Sequence, residues 1–310
     1  MFSMNLKYFM TRIFAAVLLF RVLLFPAFLS AQQPNDAIYM DKNAICIVAA
    51  YGHNSWDTYW ENTLKRQNLN IGTNTTQSFA LMAAAGITDK LNLLVGLPYV
   101  STRNSAGNLL GQKGLQDFSA ALKYKLFNNE GLSLHGTLGG SIPVSNYVPD
   151  FLPMSIGLHS ATASARLVFN YLHKSGIYFT AHGAYTARSN VRTDRDSYQA
   201  NDKIYNSDEL AIPNATDGGI NIGYLKNSLQ ATLFLERFDC VGGDHIRRND
   251  APYPTNDMEA TNIGAYVKFQ PGHFGVNARY AYTTSGRNVG QTTSLMAGIL
   301  YQFSIKKSSN

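Results

Sequence analysis

Lys123, Lys125, His135, Arg166, His182, Arg188, Glu236, Lys268 and Arg279 are the residues of this chain whose types could do chemistry on one shared surface. Each stands in a stretch where apolar and polar residues alternate at period two, and each falls on the polar side of that alternation. Such spacing puts them on one face of a sheet. If that face closes on itself, Lys123, His135, Arg166, His182, Glu236, Lys268 and Arg279 line an interior of positive bias, with Arg166 and Arg279 near mid-height. A lining of this kind selects polar or anionic solutes. A structural role competes with that reading. Cations paired with Glu236, Asp117 and backbone groups would stiffen the interior, because a buried guanidinium left unpaired is costly.

Other chemistries find weaker support. In His53-Asn54-Ser55 the two-residue spacing puts His53 and Ser55 on one strand face, as a serine hydrolase built into a strand wall would need. No orienting third residue is identifiable, so a pair of polar residues near a rim is the simpler reading. Two loop segments gather charges. One holds Asp194, Asp196, Asp202, Asp208 and Glu209 with Arg192, Arg195 and Lys203; the other holds Asp244, His245, Arg247, Arg248 and Asp250. Their spacing is looser than a calcium loop requires. Arg247 and Arg248 suit lipid phosphates, and solvated loop surface accounts for the rest. There is no nucleotide-binding loop, zinc cluster or acid–base pair in the sequence, so no cofactor or metal is expected. Cys46 and Cys240 are expected at opposite ends of their strands, too far apart for a disulfide.

The elements that must position these residues are strands. After residue 31 no segment has helical period or length. Leu295, Ala297, Ile299, Tyr301, Phe303 and Ile305 alternate with Ser294, Met296, Gly298, Gln302 and Ser304, and similar patterns recur upstream. Crossing a bilayer obliquely takes about 9–11 residues per strand, and the pattern predicts twelve such strands near 43–60, 71–87, 91–103, 113–127, 131–145, 155–172, 176–190, 209–225, 228–240, 257–270, 273–287 and 291–305. Tight turns such as Thr88-Asp89-Lys90, Lys226-Asn227 and Pro271-Gly272 alternate with long polar connections, the largest at 191–208 and 241–256. Short turns at one end and long loops at the other mark an outer-membrane barrel. Aromatics gather at both strand ends: Phe127, Tyr171, Phe179, Tyr224, Phe269, Phe274 and Phe303 at the short-turn side, Trp60, Tyr99, Phe118, Tyr185, Phe238 and Tyr282 at the long-loop side. Amphipathic rings at both headgroup levels would form two belts. Strand one is the least regular, since Ile45-Cys46-Ile47-Val48-Ala49-Ala50 is apolar on both faces.

Composition agrees. The chain of 310 residues is 45% hydrophobic and 15% charged, with Tyr 18, Phe 17 and Trp 2. A mean hydropathy of −0.14 is too polar for a bundle of membrane helices. Lys7 and Arg12 precede two apolar runs split by Arg21, and Leu29-Ser30-Ala31 ends in small residues, so residues 1–31 read as a secretory signal cleaved after Ala31. That segment holds three basic residues and no acid, so its removal lowers the formal charge from +6 to +3. No nucleic-acid-type basic surplus remains. The expected organisation is a short periplasmic segment at 32–42, too short for a plug domain, a single transmembrane barrel at 43–305 and a tail at 306–310. The tail departs from the aromatic ending common in such barrels, and Phe303 stands in for it.

Two motifs add a resemblance. Gly86-Ile87-Thr88-Asp89-Lys90-Leu91-Asn92 leads to Gly96-Leu97-Pro98-Tyr99-Val100, and Gly114-Leu115-Gln116-Asp117-Phe118 opens a strand ending Lys123-Tyr124-Lys125. With Trp56-Asp57-Thr58-Tyr59-Trp60 upstream, the stretch 56–126 resembles the outer-membrane family named for the meta-pathway of phenol degradation, whose members are described as transporters. The resemblance implies an all-β transmembrane barrel. The physical content of the motifs is structural: a tight turn at Asp89, a lost ladder donor at Pro98 and bends at Gly86 and Gly114.

The expected function is therefore passive passage of small molecules, aromatic or hydrophobic ones among them, across the outer membrane. The alternatives are a non-transporting barrel that displays its loops and a lipid-modifying enzyme using His53 and Ser55. The expected partners are outer-membrane lipids, a small-molecule solute and the barrel assembly machinery, with no nucleic acid.

Overall fold

The computed structural model describes residues 32–246 and 251–305. The expected leader at 1–31, Arg247, Arg248, Asp250 and the tail at 306–310 lie outside the described residues. Alternating side chains drive twelve long strands: β1 (Ala44–Trp56), β2 (Asn74–Gly86), β3 (Leu91–Asn104), β4 (Asp117–Asn129), β5 (Leu132–Pro143), β6 (Thr162–Leu172), β7 (Ile177–Arg188), β8 (Asn214–Lys226), β9 (Leu229–Val241), β10 (Glu259–Phe269), β11 (Phe274–Arg287) and β12 (Thr293–Ser304). Each pairs antiparallel with its sequence neighbours, and β1 pairs with β12 from Ala44↔Ser304 to Ser55↔Thr293. The sheet is thus a closed barrel of twelve strands, and a short piece, Lys113–Leu115, extends β4 beyond Gln116. Closure leaves none of the twelve long strands as a free edge for another chain to pair with.

The two faces are inverted relative to a globular protein. Leu138, Leu233 and Ile299 are exposed at 68%, 68% and 66%, while Lys123, Lys268, Gln270 and Gln302 are buried. Apolar exterior and polar interior are what lipid outside and a narrow lumen inside require. Phe127, Tyr171, Phe179, Tyr224, Phe269 and Phe274 are exposed at the short-turn end, and Tyr99, Phe118 and Tyr185 at the other. Trp60 departs from this plan. It is buried, because β1 ends at Trp56 and Thr58–Glu61 folds back on Leu64–Gln67 as a separate hairpin.

Strand starts differ from expectation at two further places. β6 begins at Thr162 rather than near 155, and β8 at Asn214 rather than near 209. Pro149 and Pro153, and then Pro213, stand in the segments just before these strands and cannot donate to a ladder. At the β4–β5 turn, Glu130 and Gly131 both have positive φ, 46° and 89°, the conformation a two-residue hairpin turn needs. The apolar double face of β1 also has a physical reason. Ile45, Ile47 and Tyr51 face outward, while Ala44, Cys46, Val48 and Ala50 pack on Met40, Ala84, Leu94 and Leu300 in a small interior cluster. Cys46 and Cys240 are both free thiols.

Candidate lumen site

The segment 32–42 was expected in the periplasm, and the structure places it inside the barrel. Asp36 first organises the segment: its carboxylate accepts from the backbone N–H of Gln33 at 2.7 Å and of Ile38 at 2.9 Å. The buried ammonium of Lys123 on β4 then donates to Asp36 Oδ1 at 2.6 Å, to the Gln33 carbonyl at 2.9 Å and to the Ile38 carbonyl at 3.2 Å. Three acceptors satisfy the three donors of an ammonium. His135 on β5 bonds the Tyr39 hydroxyl through Nδ1 at 3.1 Å and Ser133 through Nε2 at 2.9 Å. Lys125 Nζ lies 4.7 Å from the Tyr39 ring centre, within cation–π range. The Asn92 carboxamide meets Gln32.

This strap enters beside Gly86 on β2. A Cβ there would lie 2.8 Å from the Met40 carbonyl oxygen, so the position needs glycine for close backbone approach. From the β3–β5 wall the strap reaches across: Asn35 Nδ2 lies 3.5 Å from Glu236 Oε1 on β9. Shortness was no obstacle, since ten extended residues reach roughly 33 Å.

Above the strap the lumen charges pair. Arg279 on β11 meets Glu236 at 2.5 Å and stacks 4.3 Å from the Phe234 ring centre. Phe234 in turn lies over Gly264, where a Cβ would collide with its ring. Arg166 on β6 meets Asp217 on β8 at 2.6 Å. His182 on β7 shares with Asn35, Arg166, Asp217 and Glu236 a cavity of about 160 Å³. Arg188 donates to the Pro213 carbonyl at 3.1 Å and lies over Phe238. Lys268 on β10 faces the same interior, buried and without a hydrogen-bond partner among the described residues. A second cavity, of about 80 Å³, runs between the strap at Asp36 and Ile38 and the wall at Tyr178, Gln230, Phe234 and Tyr266.

At the long-loop end the connections fold inward. Thr102 Oγ1 on β3 donates to the Met154 carbonyl at 2.6 Å, and Ile156 packs on Val100 and Tyr147. Asp117, expected as a partner for lumen cations, instead accepts from Tyr147 at 2.5 Å. Burial, then that carboxylate, raises the pKa of the Tyr147 phenol. Arg195 ion-pairs with Asp150 and lies over Phe151 and Tyr253, joining three connections. Asn288 Oδ1 accepts from Asn62 N at 2.9 Å and Ile246 N at 3.2 Å, and its Nδ2 donates to the Asp257 carbonyl at 2.7 Å. His53 and Ser55 lie on the outward side of β1, and no hydrogen bond joins them among the described residues.

The sequence reading missed Asp36, Tyr39, Asp217 and Asn288. A charge count offered the available signal. Lys123, Arg166, Lys268 and Arg279 faced two candidate acids, Glu236 and Asp117, and buried cations need counter-charges. The missing acids had to come from elsewhere in the chain.

A closed antiparallel barrel with a lipid-type exterior and a charged lumen defines the class: an outer-membrane β-barrel. The family profile described as "Putative MetA-pathway of phenol degradation" matches residues 61–207, so the resemblance is borne out over 61–126 and extends further along the chain, while Trp56–Trp60 lies just outside the match. Among solved structures, an outer membrane channel from Pseudomonas putida F1 matches with a TM-score of 0.70 and 17% identity, covering 88% of this chain and 100% of that chain. The NanC porin matches with a TM-score of 0.47 and 8% identity, covering 82% of this chain and 98% of that one. The beta domain of the Bordetella autotransporter BrkA matches with a TM-score of 0.48 and 13% identity, covering 84% and 100%. At these identities the likeness to the Pseudomonas channel is one of fold. No curated protein sequence matches the chain.

Proposed function

We propose that the protein is a passive channel that lets small molecules cross the outer membrane. One observation carries this reading: the lumen of the closed barrel is lined by polar and charged side chains and keeps cavities of about 160 and 80 Å³ beside the strap. A barrel serving only as an anchor has no need of such a lining. Lys123, His135, Arg166, His182, Glu236, Lys268 and Arg279 are the residues that would meet a solute. Glu236 and the Arg279–Phe234 stack stand where the strap reaches the opposite wall, so a solute passing the strap there would meet them. The family description, with its link to phenol degradation, favours small aromatic solutes, and Phe234, Tyr178 and Tyr266 offer rings to receive them.

The test is conductance of the purified protein in planar bilayers, together with liposome swelling using phenolic and sugar solutes. Discrete conductance and faster swelling with phenols are expected. A barrel that passes neither ions nor solutes removes the channel reading. It would favour display of the loops, for which the lacing by Asn288 and Arg195 is the specific support. The enzyme reading predicts lipid hydrolysis lost in Ser55→Ala, and fails if the wild type hydrolyses no lipid.

A further inference from the structure

Two cations of this chain stand on the outer side of the wall with no acid to answer them. Arg103 near the end of β3 and Lys113 in the short piece extending β4 are both exposed, at the long-loop end. Strand parity turns them outward. Exposed Tyr99 opposes exposed Leu115, Ser101 opposes Lys113, and Arg103 follows two residues on. Diagonal neighbours on one sheet face lie about 7–8 Å apart, so both heads can reach one anion. Elsewhere on this rim the chain neutralises its outward cations. Arg237 on β9 meets Glu259 at 2.8 Å and Asp239 at 3.2 Å, and Arg287 on β11 meets Asp257 at 2.9 Å. The side chains of Arg103 and Lys113 form no ion pair or hydrogen bond among the described residues, and Asp57, just past the end of β1, pairs with neither. Like charges this close repel, and an anion shared between them reverses the sign.

The rest of the face says what carries that anion. Tyr51, Phe79, Tyr99 and Leu115 lie side by side across β1 to β4, all exposed. The next row toward the loops is His53, Gln77, Ser101 and Lys113, and the one after it Ser55, Thr75 and Arg103. Gln77 Nε2 donates to the Tyr51 hydroxyl at 2.8 Å and ties the first two rows together. At about 3.4 Å per residue, Lys113 and Arg103 stand roughly 7 and 14 Å along the strands beyond the ring row. Rings of this kind mark the headgroup boundary. The order outward is therefore apolar, then hydroxyl and carboxamide, then cationic. Free phosphate would use only the last row. A glycerophospholipid holds its phosphate close to the acyl boundary, level with the rings. A phosphorylated glycolipid carries it a sugar ring further out, where the cations are.

We infer that the outward face of β1 to β4 at the long-loop end docks a phosphorylated glycolipid of the outer leaflet, of the lipid A kind. Its acyl chains lie on Tyr51, Phe79 and Tyr99, its sugar meets Gln77 and Ser101, and its phosphate accepts from Arg103, whose planar fork suits two phosphate oxygens, and from Lys113. The site is on the opposite side of the wall from the lumen and is independent of the channel reading.

The test is native mass spectrometry of the purified full-length protein in detergent with diphosphoryl lipid A, dephosphorylated lipid A and phosphatidylglycerol. A charge-assisted contact is worth about ten- to a hundredfold in affinity. Diphosphoryl lipid A is expected to bind the wild type at least about tenfold more tightly than either other lipid. The double variant Arg103→Gln/Lys113→Gln should abolish that preference. Lys174→Gln/Lys226→Gln, which removes the same charge from exposed positions at the short-turn end, should keep it. Equal binding of lipid A with and without its phosphates overturns the inference, as does an unchanged preference in a folded Arg103→Gln/Lys113→Gln barrel. Loss of the preference in both double variants would trace it to net charge and overturn the site. Phosphatidylglycerol bound as tightly as lipid A, or lipid A released by inorganic phosphate, overturns the glycolipid assignment. If Arg103→Gln/Lys113→Gln does not fold, the three lipids on the wild type still decide.

Discussion

At the residue scale the lumen is governed by which buried charges have partners. Asp36→Ala would leave Lys123 with two carbonyls and no counter-charge. Orphaning a buried ion costs about 3–5 kcal/mol, so hydrogen exchange of residues 33–42 should quicken by about a hundredfold or more. The double variant Asp36→Ala/Lys123→Met should recover part of that loss, because it removes the ion along with its partner. Equal exchange in wild type and Asp36→Ala would show that the pair does not hold the strap. Glu236 acts on a different quantity. It meets Arg279 at 2.5 Å and is itself partly exposed to the lumen. Glu236→Gln frees the Arg279 charge, and reversal potentials in a salt gradient should shift toward anion selectivity. An unshifted potential would place the permeation path elsewhere.

At the element scale the strap and the long connections reach into the barrel from its two ends. The strap crosses from Gly86 to Glu236. Deleting residues 32–38 removes its contacts with Lys123, Thr137 and Glu236 while leaving every strand of the barrel in place. Single-channel conductance should rise, and far-ultraviolet circular dichroism should remain β-type. Unchanged conductance would show that the strap does not obstruct the path. On the opposite side Asn288 bridges three segments through one carboxamide. Asn288→Ala strands the Asn62 and Ile246 donors at about 1–3 kcal/mol. The expected result is faster proteolysis confined to the connection around Ile246 and Asp257 and to the 57–68 hairpin, with the barrel itself resistant.

At the scale of the whole molecule, stability depends on an apolar exterior and complete strand pairing. Leu233 and Thr232 are adjacent on β9 and face opposite ways, 68% exposed and 8% exposed. Leu233→Arg puts a charge into lipid and should destabilise the folded barrel by about 2–4 kcal/mol if it lies at the bilayer midplane. Its unfolding midpoint in vesicles measures this. Thr232→Ser, on the lumen side, should leave the midpoint nearly unchanged. Equal tolerance at both positions would contradict the assignment of faces.

The twelve strands, their alternation and most of the aromatic belts were legible in the residues themselves. A membrane strand shows lipid to every second side chain, so its environment is written locally at period two. The inward placement of Lys123, Arg166, Glu236, Lys268 and Arg279 followed from the same parity. The partners did not. Arg166 and Asp217 sit on strands separated by β7, Asp36 and Lys123 are 87 positions apart, and Asn288 bridges loops that meet only after closure. Nor did the pattern place the strap, because Pro34-Asn35-Asp36 has no period and its position depends on a cavity that exists only when β1 meets β12. Local alternation determines which way a side chain faces; only the closed barrel decides what it faces.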